Sequence, residues 1–173
     1  TGMDRAIVSA LAGTTRDILS APMTIKIENL PNTPTGELTV MLHDVAGLEA
    51  GLESDDPLTV AAHQAARQAI RSAVMILFVI DANLPSHQKD EHLFREIINL
   101  NQRADALILA NKIDLLSSSN EKIYRETLTD LSLRFKRDVL PISAKTHQGF
   151  DQLRRIISER LIKLAAPQSR PLL

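Results

Sequence analysis

A chain of 173 residues, 44% hydrophobic and 24% charged, is long enough to bury one sizeable core and has the balance of an ordinary globular protein. A net charge of −1 and an aromatic content of 3% exclude a strongly basic nucleic-acid footprint and a row of base-stacking side chains, and point to an aliphatic core. The absence of cysteine excludes disulfides and thiolate metal sites, and no apolar stretch approaches the roughly 18 residues that span a bilayer.

Thr1 to Ser20 contains Ala6-Ile7-Val8 and then Ala12-Gly13-Thr14-Thr15-Arg16-Asp17, whose glycine and threonines predict a loop. The first residues lack the apolar core of a signal peptide, so a cytoplasmic protein without membrane attachment is expected. Met23 to Leu30 alternates apolar and polar side chains, Pro31 to Gly36 is a turn cluster, and Glu37 to His43 is a second strand-like run. Together they predict an antiparallel hairpin. It leads into Asp44-Val45-Ala46-Gly47 and then an acidic, glycine-containing loop that reaches Pro57.

Leu58 to Ala73 predicts a helix with a small-residue face of Ala62, Ala65, Ala66, Ala69 and Ile70. Val74 to Ile80 predicts a buried strand ending at Asp81. Gln88 to Leu100 is helical, with Leu93, Phe94, Ile97 and Ile98 at helical spacing. Leu107 to Ala110 is the most continuous apolar run, a parallel strand buried on both faces, and it stops at Asn111, Lys112 and Asp114. After a loop at Ser117 to Asn120 come a helix from Glu121 to Phe135, a strand from Val139 to Ile142 ending in Ser143-Ala144-Lys145, and a helix from Phe150 to Leu164. Residues 1–165 are expected to form one domain and 166–173 a linker or tail. The alternation of helices and strands implies a mainly parallel sheet with helices on both faces, the hairpin adding one antiparallel edge strand.

Polar groups at the carboxyl ends of parallel strands sit where open α/β folds place ligands. Four groups fall there in order: Gly13-Thr14-Thr15, Asp44-x-x-Gly47, Asn111-Lys112-x-Asp114 and Ser143-Ala144-Lys145. The Asp114 carboxylate suits the N1–H and exocyclic amine of guanine, and adenine would leave it unpaired. The Lys112 stem can cover the ring, and the Asn111 amide can tie loops together and reach N7. Ser143 can fix its loop while the Ala144 N–H meets guanine O6. Thr15 can ligate Mg²⁺, Asp44 can hold it through water, and Gly47 can bring a backbone N–H to a γ-phosphate. Other residues take plainer roles. The five histidines lack metal-ligand spacing, Asp81 suits a turn or cap, Arg160 and Lys163 suit a helix dipole, and Met23, Met41 and Met75 suit the core.

These residues resemble the translation-factor-related GTPases, above all the G domain of the TrmE/MnmE tRNA-modification GTPases. Ala6-Ile7-Val8-Ser9 and Ala12 to Asp17 are similar to that family's switch I signature, and Asp44-Val45-Ala46-Gly47-Leu48 to its switch II entry. The resemblance spans about residues 1 to 164, and the Der/EngA ribosome-assembly GTPases share a similar switch I. It implies a three-layer P-loop GTPase-type doubly wound sheet that binds GTP or GDP, uses Mg²⁺, and hydrolyses GTP. It also implies a K⁺ site completed by backbone between Ser9 and Gly13, a G-domain homodimer across the switches, and tRNA and a modification partner enzyme reached through the full-length protein.

The sequence departs from that pattern in two places. A P-loop, G-x-x-x-x-G-K-[ST], is absent, and no Gly-Lys pair occurs anywhere. The first strand, P-loop and first helix are therefore expected to lie outside this chain, which alone should bind GTP weakly or not at all. Leu48 cannot orient water. Glu53, Asp55 and Asp56 are the candidates for that task, though each also reads as part of a solvated loop. A ribosome-assembly GTPase of the Der or Era type, and a degenerate non-hydrolysing nucleotide-binding scaffold, are the competing readings.

Overall fold

A computed structural model of the chain describes residues 19–27, 36–45, 57–117 and 121–165. Strands β1 (Leu19–Ile27) and β2 (Gly36–Asp44) pair antiparallel, with Ile25 opposite Leu38 and Met23 opposite Val40. These four side chains are half-buried while Pro22, Thr24, Glu37, Thr39 and Met41 are exposed, the period-two pattern of a sheet with one covered face. The first strand begins earlier than the Met23 expected, because Pro22 is tolerated where both strands are edges.

Among the described residues the hairpin forms a two-stranded ladder of its own, hydrogen-bonded to no strand of the parallel sheet. That second sheet has the order β3 (Met75–Asp81), β4 (Asp105–Asn111), β5 (Val139–Pro141), all parallel. Among the described residues the outer edge of β3 carries no ladder partner.

Helices α1 (Pro57–Ser72), α2 (Gln88–Leu100), α4 (Glu121–Phe135) and α5 (Phe150–Ala165) lie within a residue of expectation. Pro57 suits the first helical position, where a missing N–H costs nothing. A five-residue helix, α3 (Ile113–Ser117), was not expected. It buries Ile113 and Leu116 three residues apart and exposes Leu115.

Side chains alternate across β4, and this builds three layers. Ala106, Ile108 and Ala110 face Ile70 of α1, Phe94 and Ile97 of α2, and Leu131 and Phe135 of α4. Leu107 and Leu109 face the other way, toward Phe150, Leu153 and Ile156 of α5. The core is less purely aliphatic than composition suggests. Phe78, Phe94 and Phe135, three of the four phenylalanines, meet with ring centroids 5.2 to 6.1 Å apart.

Other expectations need correction. Ala65 is exposed, so the packed face of α1 is Ala62, Ala66, Ala69 and Ile70. Met41 is 55% exposed and no core residue, because it lies on the outer face of β2. Arg160 does more than complement a dipole. Its guanidinium donates to Asp105 at 2.8 Å and Asp138 at 3.2 Å, clamping the starts of β4 and β5. No described helix is long and apolar enough to cross a membrane.

Candidate functional site at the carboxyl rim of the parallel sheet

The strand run ends at Asn111, whose Oδ1 accepts two hydrogen bonds, from its neighbour's Lys112 N–H at 2.8 Å and from Ala144 N–H at 2.9 Å. Both partners are donors, which fixes the amide oxygen on that side. The second bond ties the end of β4 to the loop after β5. The Ala144 N–H expected to be open for guanine O6 is thus already engaged. Lys112 turns the chain with φ 65°, a left-handed conformation uncommon for a side-chain-bearing residue, and α3 starts immediately behind it.

In the first turn of α3, half-buried Asp114 accepts a hydrogen bond from Ser143 Oγ at 2.7 Å. Ser143 is completely buried, and the same oxygen accepts Thr146 N–H at 3.1 Å while Ser143 N–H donates to Gln148 O at 3.0 Å. One short hydroxyl therefore closes its own loop and aims the Asp114 carboxylate. The loop returns to α5 through Gly149 at φ 80°, where an added Cβ would lie 2.3 Å from Pro141 O. Only glycine makes that turn without displacing backbone. Lys145, on the same loop, is exposed.

Asp81 is the residue that sequence reasoning undervalued. It sits opposite Asn111 in the β3–β4 register. Its Oδ1 accepts Asn83 N–H at 3.0 Å, the expected turn role, but its Oδ2 accepts the Lys112 ammonium at 2.6 Å. Burial pushes its carboxyl up, while hydrogen bonds from Lys112 and Asn83 and the charges of Lys112 and His87 outweigh this and hold it below its ordinary value.

The structure thus gathers Asn111, Lys112, Asp114, Ser143 and Ala144, with Asp81, at one rim. Asp44 is exposed at the end of β2, in the other sheet; the adjacent Val45 packs against the main core. Thr14, Thr15, Gly47, Glu53, Asp55 and Asp56 lie outside the described residues. No cluster of potential metal-ligating His, Cys, Asp or Glu occurs among the described residues.

Several known proteins resemble this chain in sequence or in shape. The chain is 33% identical over 162 residues to the tRNA modification GTPase MnmE of Roseiflexus sp. (strain RS-1), covering 92% of the chain and 32% of that protein. It is 30% identical over 161 residues to MnmE of Streptococcus pyogenes serotype M5 (strain Manfredo), covering 93% and 28% respectively. The chain therefore spans about a third of the length of these relatives. Era bound to MgGDPNP and a piece of 16S ribosomal RNA superposes with a TM-score of 0.64 at 24% identity, over 96% of this chain and 50% of that one. An Aquifex aeolicus Era variant bound to GDP and aluminium fluoride gives 0.62 at 22% identity, over 91% and 48%. The fold is the α/β fold of P-loop GTPases. Residues 1–112 match the family described as 50S ribosome-binding GTPase, and the chain belongs to that family.

Proposed function

We propose that this chain is the GTP-binding and hydrolysing switch domain of a tRNA-modification GTPase that acts on the wobble uridine. The observation that carries the base-binding half is the pair of cross-links at the rim, Ser143 to Asp114 and Asn111 to Ala144. They hold a carboxylate and a backbone N–H on adjacent loops. Guanine presents Asp114 with two donors and shares the Ala144 N–H through O6; adenine offers Asp114 no such pair. Lys112 lines the base, and Lys145 completes the loop beside it.

The phosphate half uses Thr15 and, through water, Asp44 for Mg²⁺, with Thr14 shaping the switch and Gly47 approaching the γ-phosphate. Asp44 supports this assignment as an exposed carboxylate at a strand end, an oxygen donor suited to a hard, hydrated cation. Mg²⁺ supplies charge neutralisation at the β- and γ-phosphates. Glu53, Asp55 or Asp56 would orient the hydrolytic water, and backbone between Ser9 and Gly13 would hold K⁺, which supplies positive charge. Hydrolysis forms a bond from water to the γ-phosphorus and breaks the bond to the β-phosphate oxygen, releasing GDP and phosphate.

With no Gly-Lys pair in the sequence, none of its residues is assigned to the P-loop grip on the β- and γ-phosphates. In the intact cytoplasmic protein, two such domains meet across their switches, and tRNA and a partner enzyme engage its remaining domains. The test is Asp114→Asn in that protein. Loss of GTP binding with gain of xanthosine triphosphate supports the assignment; unchanged GTP affinity ends it.

A second reading, ribosome assembly, is favoured by the matched family's description and by the RNA-bound Era neighbour. Co-sedimentation with ribosomal subunits, set against wobble-uridine content in a strain lacking the gene, separates the two.

A further inference from the structure

We infer that Asp81 is a positioning residue for guanine binding, acting by holding the Lys112 side chain stretched across the base site before nucleotide arrives. The inference rests on the guanine-binding reading above and adds a residue outside the four motifs that define it.

Three contacts carry it. The backbone end of Lys112 is fixed, with φ 65° and its N–H bound to Asn111 Oδ1. The far end is fixed too, with Nζ on Asp81 Oδ2 at 2.6 Å. Asp81 is itself aimed, because its other oxygen is held by Asn83 N–H and the register sets it level with Asn111. A long side chain anchored at both ends has already lost the rotamer freedom that binding would otherwise remove. Its methylene stem is left as a fixed rail between β3 and the Asp114 side of the rim. The Lys112 side chain is 53% exposed, so its apolar stem has room to take a ring face without moving.

The geometry also separates this role from simple stabilisation. An ion pair this accessible on the lysine side adds little to folding. Its value lies in where it puts the stem. Because the stem meets base and not phosphate, the effect is equal for GDP and GTP and is the same in ground and transition states. It therefore appears in KM and leaves kcat alone.

The experiment uses the intact protein, with fluorescent GDP for affinity and steady-state GTP hydrolysis for the KM and kcat split. Asp81→Asn keeps the size and the acceptor for Asn83 but removes the charge. It is expected to weaken GDP and raise KM by about three- to tenfold with kcat unchanged, the scale of one immobilised side chain. Lys112→Met, which keeps the stem and removes the ammonium, is expected to show a similar loss, and the double variant no further loss. Asp81→Glu, retaining the charge, is expected to recover part of the affinity and gives a second route if the Asn variant does not fold. Wild-type GDP affinity in Asp81→Asn overturns the inference, as does an Asp81→Asn loss that persists undiminished in the Lys112→Met background. If Asp114→Asn leaves GDP affinity unchanged, the guanine reading itself has failed. A normal Asp114→Asn loss beside a silent Asp81→Asn fails this inference alone.

Discussion

Ser143→Ala isolates the hydroxyl on which the base loop depends. The side chain is completely buried and alanine is nearly isosteric, so no cavity term enters. Two hydrogen bonds are lost. The one to Asp114 is charge-assisted, a class contributing about 1.5–3 kcal/mol when intact. Asp114 is only half-buried, so water recovers part of that, leaving about 1 kcal/mol. Thr146 is exposed, and its freed N–H finds water at a cost of a few tenths of a kcal/mol. The sum is about 1–1.5 kcal/mol of stability, or roughly 2–6 °C in Tm for a domain of this size.

On the proposed reading the nucleotide affinity should fall further than the fold does, because the Asp114 carboxylate proposed to accept guanine is no longer aimed. About tenfold weaker GDP binding is expected, equivalent to roughly 1.4 kcal/mol. Ser143→Thr keeps the hydroxyl but adds a methyl group at a fully buried position. It should unfold earlier by a comparable amount while the nucleotide it does bind retains near wild-type affinity. Thermal unfolding and equilibrium titration of GDP into the intact protein measure both quantities. A Ser143→Ala protein with unchanged Tm and unchanged GDP affinity would refute the idea that this bond organises the rim.

Gly149→Ala forces a Cβ into the Pro141 carbonyl at positive φ, and should cost about 2 kcal/mol or more, read by chemical denaturation. Arg160→Met removes the clamp on the starts of β4 and β5; with Asp138 well exposed and Asp105 about two-thirds covered, the loss should be about 1 kcal/mol and shrink in high salt. The folded-state pKa of Asp81 lies below its unfolded value, held down against burial by Lys112, Asn83 and His87. Its contribution to stability is therefore complete above about pH 4 and is lost as pH falls through the folded value, so Asp81→Asn should flatten that part of the acid unfolding curve. GTP turnover of the intact protein in KCl should exceed that in NaCl; equal rates would remove K⁺ from the proposed site.

The parts of this molecule legible in the sequence are those whose signal is local. The apolar run before Asn111 announces a strand buried on both faces, and the spacing of Leu93, Phe94, Ile97 and Ile98 announces α2. What escaped depends on partners distant in the chain or on short segments. Asp81 looks like a turn residue because its second partner, Lys112, lies 31 positions away and meets it only through parallel pairing. Arg160 looks like a dipole complement for the same reason, its Asp105 partner being 55 residues off. The helix α3 is too short for its period to show. The early start of β1 is hidden by Pro22, which an interior strand would reject but an edge accepts.

The bond from Ala144 to Asn111 joins positions 33 residues apart, across all of α4 and β5. A polypeptide emerging from the ribosome can complete the first two parallel strands while the rim proposed to recognise the base still has only one wall. On that reading the base contact is incomplete until the later part of the domain has formed. The guanine contact would then stabilise only a chain whose last strand has already closed on the rest, acting late in folding and not as its seed.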